Sequence, residues 1–103
     1  AQTVHEINTD RQNSRYLAGY TLPATMRATA DMGEAVRGAD VLVMGVPSQN
    51  FRSVLMDVRQ HIRPWVPVIS LTKGFELDTG KRMTEVIMEI LPGHPVGVLT
   101  GPN

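Results

Sequence analysis

The sequence predicts an α/β domain built on a doubly wound, mainly parallel sheet. Three observations carry that prediction. Short, continuous apolar runs recur at Val41–Val46, Val66–Leu71 and Val96–Leu99, as expected of strands buried on both faces. Segments with apolar residues at helical spacing lie between them. The runs end about 25 to 28 residues apart, near the length of one strand–helix–strand unit. Such alternation points to parallel strands joined by right-handed crossovers.

Each element has its own local reason. Val4 and Ile7 suggest the tail of a helix, and the polar stretch from Asn8 to Ser14 reads as a loop too short to link domains. Met26, Ala28 and Ala30 alternate with Thr25, Arg27 and Thr29, the pattern of an edge strand. Asp31 and Glu34 form a capping box for a short helix ending at Gly38. After the first apolar run, Phe51, Val54, Leu55, Val58 and Ile62 make one helical stripe. Ser48 stands where it can cap that helix, and Pro64 follows its end. The second run carries Pro67 near its start, where a missing N–H is tolerated. Met83, Val86, Ile87, Ile90 and Leu91 repeat the helical stripe until Pro92-Gly93 stops it, and the third run follows.

Composition narrows the function. The 103 residues make one ordinary domain, and 42% hydrophobic content with 19% charge suits a packed core rather than disorder. Ten basic residues balance ten acidic ones, so no global field steers nucleic acid or an anionic membrane toward the chain. Without cysteine there are no disulfides, thiolate metal sites or thiol nucleophiles. His5, His61 and His94 match no usual metal-ligand spacing, so no metal is expected. The sequence holds no apolar run long enough to span a bilayer and no signal-peptide pattern, which makes cytoplasm the default location. It starts without an initiator Met and stops at Gly101-Pro102-Asn103, and so reads as a piece of something longer.

In an open parallel sheet, ligands bind outside the carboxyl ends of the strands. The residues there are Pro47-Ser48-Gln49, Thr72-Lys73-Gly74 and Thr100-Gly101-Pro102-Asn103, each small and polar after an apolar run. Side-by-side strands would bring Ser48, Gln49, Lys73, Gly101 and Asn103 to one rim. Lys73 is one of only two lysines, and its compact charge can meet a phosphate or polarise a carbonyl; the plainer alternative is a solvated loop lysine. Ser48 can cap its helix while the free N–H groups behind it face an anion. Arg52 follows the rim loop within reach of a phosphate, although a surface role is the simpler reading. Phe51 belongs to the helical stripe and could also lie against a bound ring. Met44, Met83 and Met88 read as core filling, Trp65 as packing at a loop edge, and His61 as a helix C-terminal partner.

Four stretches in order resemble the bacterial-type NAD(P)-dependent glycerol-3-phosphate dehydrogenases. They are Asn13–Pro23, with Tyr16-Leu17 and Gly19; Val46-Pro47-Ser48-Gln49; Ser70-Leu71-Thr72-Lys73-Gly74-Phe75-Glu76; and Leu99–Asn103. The resemblance covers nearly the whole chain. It implies an incomplete Rossmann-like cofactor domain over residues 1–103, with the glycine-rich turn expected before Ala1. The helical substrate domain and principal catalytic lysine are expected after Asn103, so no catalytic residue is assigned within the chain. By the same resemblance the cofactor is NAD or NADP, contacted by Lys73, Ser48, Gln49 and Tyr16. The substrate pair is glycerol 3-phosphate and dihydroxyacetone phosphate, feeding glycerophospholipid synthesis. Lys73, Gly101 and Asn103 contact it, Asn103 standing where the family usually has Ser or Thr. A homodimer is implied for the whole protein, with neither nucleic acid nor membrane insertion.

Two other readings stay open at this point. One is the cofactor domain of another dehydrogenase, acting on a 3-hydroxy acid or ketopantoate. The other is a non-catalytic nucleotide-sensing or interaction module of the same architecture. The 103 residues by themselves are expected to show no dehydrogenase turnover and at most weak nucleotide affinity. A steady-state assay of the purified chain checks this, and ordinary rates of glycerol 3-phosphate oxidation would contradict it.

Overall fold

The three apolar runs pair side by side. In the computed structural model, which describes residues 2–12, 21 and 25–100, β1 (Leu42–Met44), β2 (Val68–Ser70) and β3 (Val96–Val98) form one sheet in that order. Both pairings are parallel. Leu42, Val68 and Val96 stand in line, and Met44, Ser70 and Val98 form the row two residues on, in which Met44 and Ser70 are buried and Val98 is exposed. The ladder continues past the strand ends: the Leu71 N–H donates to the Met44 carbonyl and the Leu99 N–H to that of Ser70, both at 3.0 Å. Pro67, just before β2, supplies only its carbonyl, which accepts the Leu42 N–H at 2.9 Å. Its missing N–H therefore costs the ladder nothing.

Among the described residues four helices accompany the sheet: α1 (Gln2–Asp10), α2 (Met32–Val36), α3 (Ser48–Val58) and α4 (Met83–Ile90). Helices α3 and α4 are the two crossovers. Phe51, Leu55 and Val58 of α3 meet Met83, Val86, Ile87 and Ile90 of α4 over Met44 and Val68, with Val36 of α2 at the margin. Phe51, Leu55, Val68, Val86 and Ile87 are completely covered. Burial at that level stabilises the fold by about 1.5–3 kcal/mol per side chain. Helix α4 ends where Gly93 takes a φ of 91°, a left-handed conformation that glycine reaches without strain.

The structure departs from the sequence pattern where a partner is distant or one face has no cover. Residues 26–29 alternate as a strand should, yet they join no strand among the described residues. The Asn8 side chain stands in for a neighbouring strand. Its Oδ1 accepts the Ala28 N–H at 2.6 Å and its Nδ2 donates to the Ala28 carbonyl at 2.7 Å. Asn8 itself is helical, since α1 runs on to Asp10 and stops where Arg11 turns left-handed, with a φ of 55°. Asp31 makes no side-chain cap. Thr29 instead takes both ends of the expected box, its hydroxyl accepting the Asp31 N–H at 3.1 Å and donating to Glu34 at 3.2 Å. Ser48 is likewise not a cap but the first helical residue, because Pro47 occupies the cap position with its carbonyl on the Asn50 N–H at 2.9 Å.

Burial on both faces of the sheet is also corrected. The core gathers α2, α3 and α4 on one face, whereas Val41 and Val43 remain 53% exposed on the other, and Leu71 and Leu99 are exposed as well. A continuous apolar run identifies a strand without saying what covers it. Met88 is exposed because it stands five residues past Met83, off the i, i+3, i+4, i+7 stripe that faces the core. Trp65 is 74% exposed, with a φ of 71°, rather than packed at a loop edge. Phe51 is core and has no surface to offer a ring. Phe51→Ala should therefore lower unfolding free energy by about 3–5 kcal/mol, while Met88→Ala should change it by less than about 0.5 kcal/mol. Urea denaturation checks the contrast, and equal losses would contradict this assignment of the core.

Candidate functional site at the sheet rim

Parallel pairing delivers the ends of β1 and β2 to one edge. Beyond β1 the chain passes through Gly45-Val46-Pro47 into α3, and beyond β2 it runs Leu71-Thr72-Lys73-Gly74. The Thr72 hydroxyl donates to the Val46 carbonyl at 2.6 Å, so the two loops are joined directly. Ser70, fully buried, shapes the second loop. Its hydroxyl accepts the Thr72 N–H at 3.1 Å and donates to the Thr72 carbonyl at 3.2 Å, a local side-chain turn. Gly74 then takes a φ of 105°, which strains any residue with a Cβ. The chain reverses there, and Phe75 forms an antiparallel bridge with Arg82. Between them the segment closes on itself, with the Glu76 N–H on the Lys81 carbonyl at 2.8 Å and the Gly80 N–H on the Glu76 carbonyl at 2.7 Å.

Two adjoining clefts open along this edge. Ser48 and Gln49, from the first turn of α3, line a cleft of about 280 Å³ with Phe75, Glu76 and Asp78. Lys73 lines its neighbour, of about 290 Å³, with Thr72, Phe75, Arg82 and Thr84. Phe75 is 60% exposed and belongs to both. Ser48, Gln49 and Lys73 therefore share the rim, as the alternation of strands and helices implies, but they divide between two clefts with an aromatic ring at the boundary. Tyr16, Gly101 and Asn103 lie outside the described residues.

This donor set suits a nucleotide-like ligand. The exposed lysine can stabilise an anionic oxygen, and Phe75 offers an apolar face to a planar ring. Sequence reasoning placed Thr72 at the rim without its bond to Val46 and gave Phe75 no part there. A lone aromatic immediately after a loop glycine is the signal that could have found Phe75. Nothing local could have revealed that the Thr72 hydroxyl reaches a carbonyl 26 residues earlier.

A parallel sheet flanked by helices, with polar loops gathered at the strands' carboxyl ends, defines a Rossmann-like dinucleotide-binding fold. The comparisons agree. The family model described as NAD-dependent glycerol-3-phosphate dehydrogenase N-terminus matches residues 1–103, and the chain belongs to that family. It is 69% identical over 103 residues to the NAD(P)+ glycerol-3-phosphate dehydrogenase 2 of Sphingopyxis alaskensis, covering all of this chain and 31% of that protein. To the NAD(P)+ glycerol-3-phosphate dehydrogenase 1 of Mycobacterium bovis it is 54% identical over 104 aligned residues, covering all of this chain and 30% of that one. Among solved structures, DsGPDH of Dunaliella salina superposes with a TM-score of 0.89 at 32% identity, across 99% of this chain and 20% of that one. The chain thus spans about a third of the length of the curated relatives it matches.

Beside the rim lies an ion network. Arg52 of α3 does not stand free to meet a phosphate. Its Nε and Nη2 donate to the two oxygens of Glu76 at 2.7 and 2.9 Å, and its Nη1 and Nη2 donate to Glu89 at 2.6 and 3.2 Å. Thr79 donates to Glu76 at 2.6 Å, and Lys81 pairs with Glu89. Hydrogen bonds from Arg52, then Thr79, hold the Glu76 carboxyl at about 2, well below its ordinary 4.5. Hydrogen bonds from Arg52, then Lys81, hold Glu89 at about 2 as well. Glu76, followed by Glu89, pushes the Arg52 guanidinium above its usual value.

Because both carboxyl values are depressed by folding, the stability linked to them is complete above about pH 4.5 and is lost as pH falls through about 2. Urea midpoints should decline across that window, and the double substitution Glu76→Gln with Glu89→Gln should flatten the decline. Parallel curves for the two proteins would contradict the network.

Proposed function

We propose that this chain is part of the cofactor-binding portion of an NAD(P)-dependent dehydrogenase that interconverts sn-glycerol 3-phosphate and dihydroxyacetone phosphate. The observation that carries the reading is the shared rim. Lys73, Ser48 and Gln49 stand at the carboxyl edge of a parallel sheet in a chain of this family. The rim fits a dinucleotide by its chemistry: small polar loops, the start of α3, an exposed ring and the cations Lys73 and Arg82 along adjoining clefts.

NAD(P), when bound, would supply the hydride chemistry between the nicotinamide and C2 of the substrate. The chain's own contribution is placement and charge. Lys73, at the meeting of cofactor and substrate, stabilises negative charge on the substrate oxygen as the carbonyl forms or is reduced. Ser48 and Gln49 line the cofactor's course, Tyr16 stands near its adenine side, and Gly101 and Asn103 contribute to the substrate contacts. Phe75, between the clefts, separates the two ligands' regions. A homodimer and a cytoplasmic location accompany this reading through the family. Among the described residues no helix is long and apolar enough to cross a membrane.

The test is Lys73→Ala in the complete dehydrogenase chain that carries these residues. Its kcat/KM for dihydroxyacetone phosphate reduction should fall by about 100-fold or more through lost charge stabilisation. A value close to that of the parent would return Lys73 to the role of a solvated loop residue.

A further inference from the structure

We propose that Arg52 is a positioning residue that aims Lys73 by gripping Glu76, an inference that rests on the dehydrogenase reading because that reading gives Lys73 its task. The Lys73 loop has two ties to the segment that follows β1. On one side of Lys73, Thr72 donates to the Val46 carbonyl at 2.6 Å. On the other, Glu76 accepts Arg52 through both carboxylate oxygens, at 2.7 and 2.9 Å. Lys73-Gly74-Phe75 is slung between them. Gly74 is the most permissive residue in that span, so both ties, together with the Phe75–Arg82 bridge, bear on the direction of the lysine.

The anchor is suited to the task. Arg52 stands four residues after Ser48 and three after Gln49, on the same side of α3. Its immediate neighbour Phe51 is completely buried, so the helix that carries the guanidinium is set by the core. A two-oxygen fork fixes distance and orientation together, which a single ammonium contact cannot do. Glu89 of α4 takes the remaining reach of Arg52, and Lys81 pairs with Glu89 from the far end of the same loop. Two cations and two carboxylates sum to zero charge. The network therefore adds no net charge to the rim, and the fork contributes orientation. Besides the acid-range stability linked to its carboxylates, the partly buried Arg52–Glu76 fork fixes the conformation of the loop.

A double-mutant cycle in the complete dehydrogenase tests this. Arg52→Gln should lower kcat/KM for dihydroxyacetone phosphate by about tenfold or more, within the range that misplaced reacting groups produce. In a Lys73→Ala background the same change should cost less than about twofold, because its effect passes through the lysine. Arg52→Lys, which keeps the charge and loses the fork, should not restore activity. If Arg52→Gln does not fold, Glu76→Gln enters the same cycle with the same expectation. Equal factors in both backgrounds, or full rescue by Arg52→Lys, would overturn the positioning role and leave the Lys73 reading intact. An active enzyme that does not respond to Lys73→Ala would remove the reading of Lys73, and the positioning role with it.

Discussion

The register of three very short parallel strands is the constraint on which the rest of the molecule depends. With Met44, Ser70 and Val98 in one row, the loops beyond β1 and β2 must emerge side by side, and α3 begins beside the turn that carries Lys73. A slip of one residue in β2 would turn Val68 and Ser70 to the open face and send the following loop the wrong way. Three-residue strands cannot hold a register by backbone pairing alone. The core on the α3 and α4 side specifies it, since a one-residue slip would take Val68 out of the cluster it shares with Leu55 and Ile87.

On that frame, polar contacts do the finer work. Apolar burial decides which face of each helix turns inward, but it is indifferent to the path of a rim loop. That path is set by a few side-chain bonds: Ser70 within its own loop, Thr72 to Val46, and Glu76 to Arg52. Val46 is partly buried against the core, and Arg52 belongs to a helix seated on it. The site is therefore built from side chains on short segments tied to the frame. This is also why Phe75 can stay exposed between two clefts without the loop collapsing over it.

The sequence makes the frame legible and leaves most ties hidden. Helical periodicity exposes α3 and α4 because their buried residues repeat at fixed short intervals, and the three apolar runs coincide with the three strands. The rim positions of Ser48, Gln49 and Lys73 follow from that alternation alone, and the family is readable from the motifs around them. By contrast, Asn8 completes the backbone of Ala28 across 20 residues, and Arg52 meets Glu76 across 24 and Glu89 across 37. No local pattern encodes such pairings. The box expected between Asp31 and Glu34 does not form for a related reason, because the Thr29 hydroxyl takes both the Asp31 N–H and the Glu34 carboxylate. The open face of the sheet lay beyond a sequence reading as well, since burial depends on what packs against a strand and not on the strand itself.

The most direct measurement is a crystal structure of the complete dehydrogenase chain with NAD+ bound. If the rim is the ligand edge, the cofactor will run past Ser48 and Gln49, with its nicotinamide end beside Phe75 and the Lys73 ammonium. A dinucleotide bound at the amino ends of the strands, or lying over the exposed face formed by Val41, Val43 and Leu71, would contradict the placement of the site.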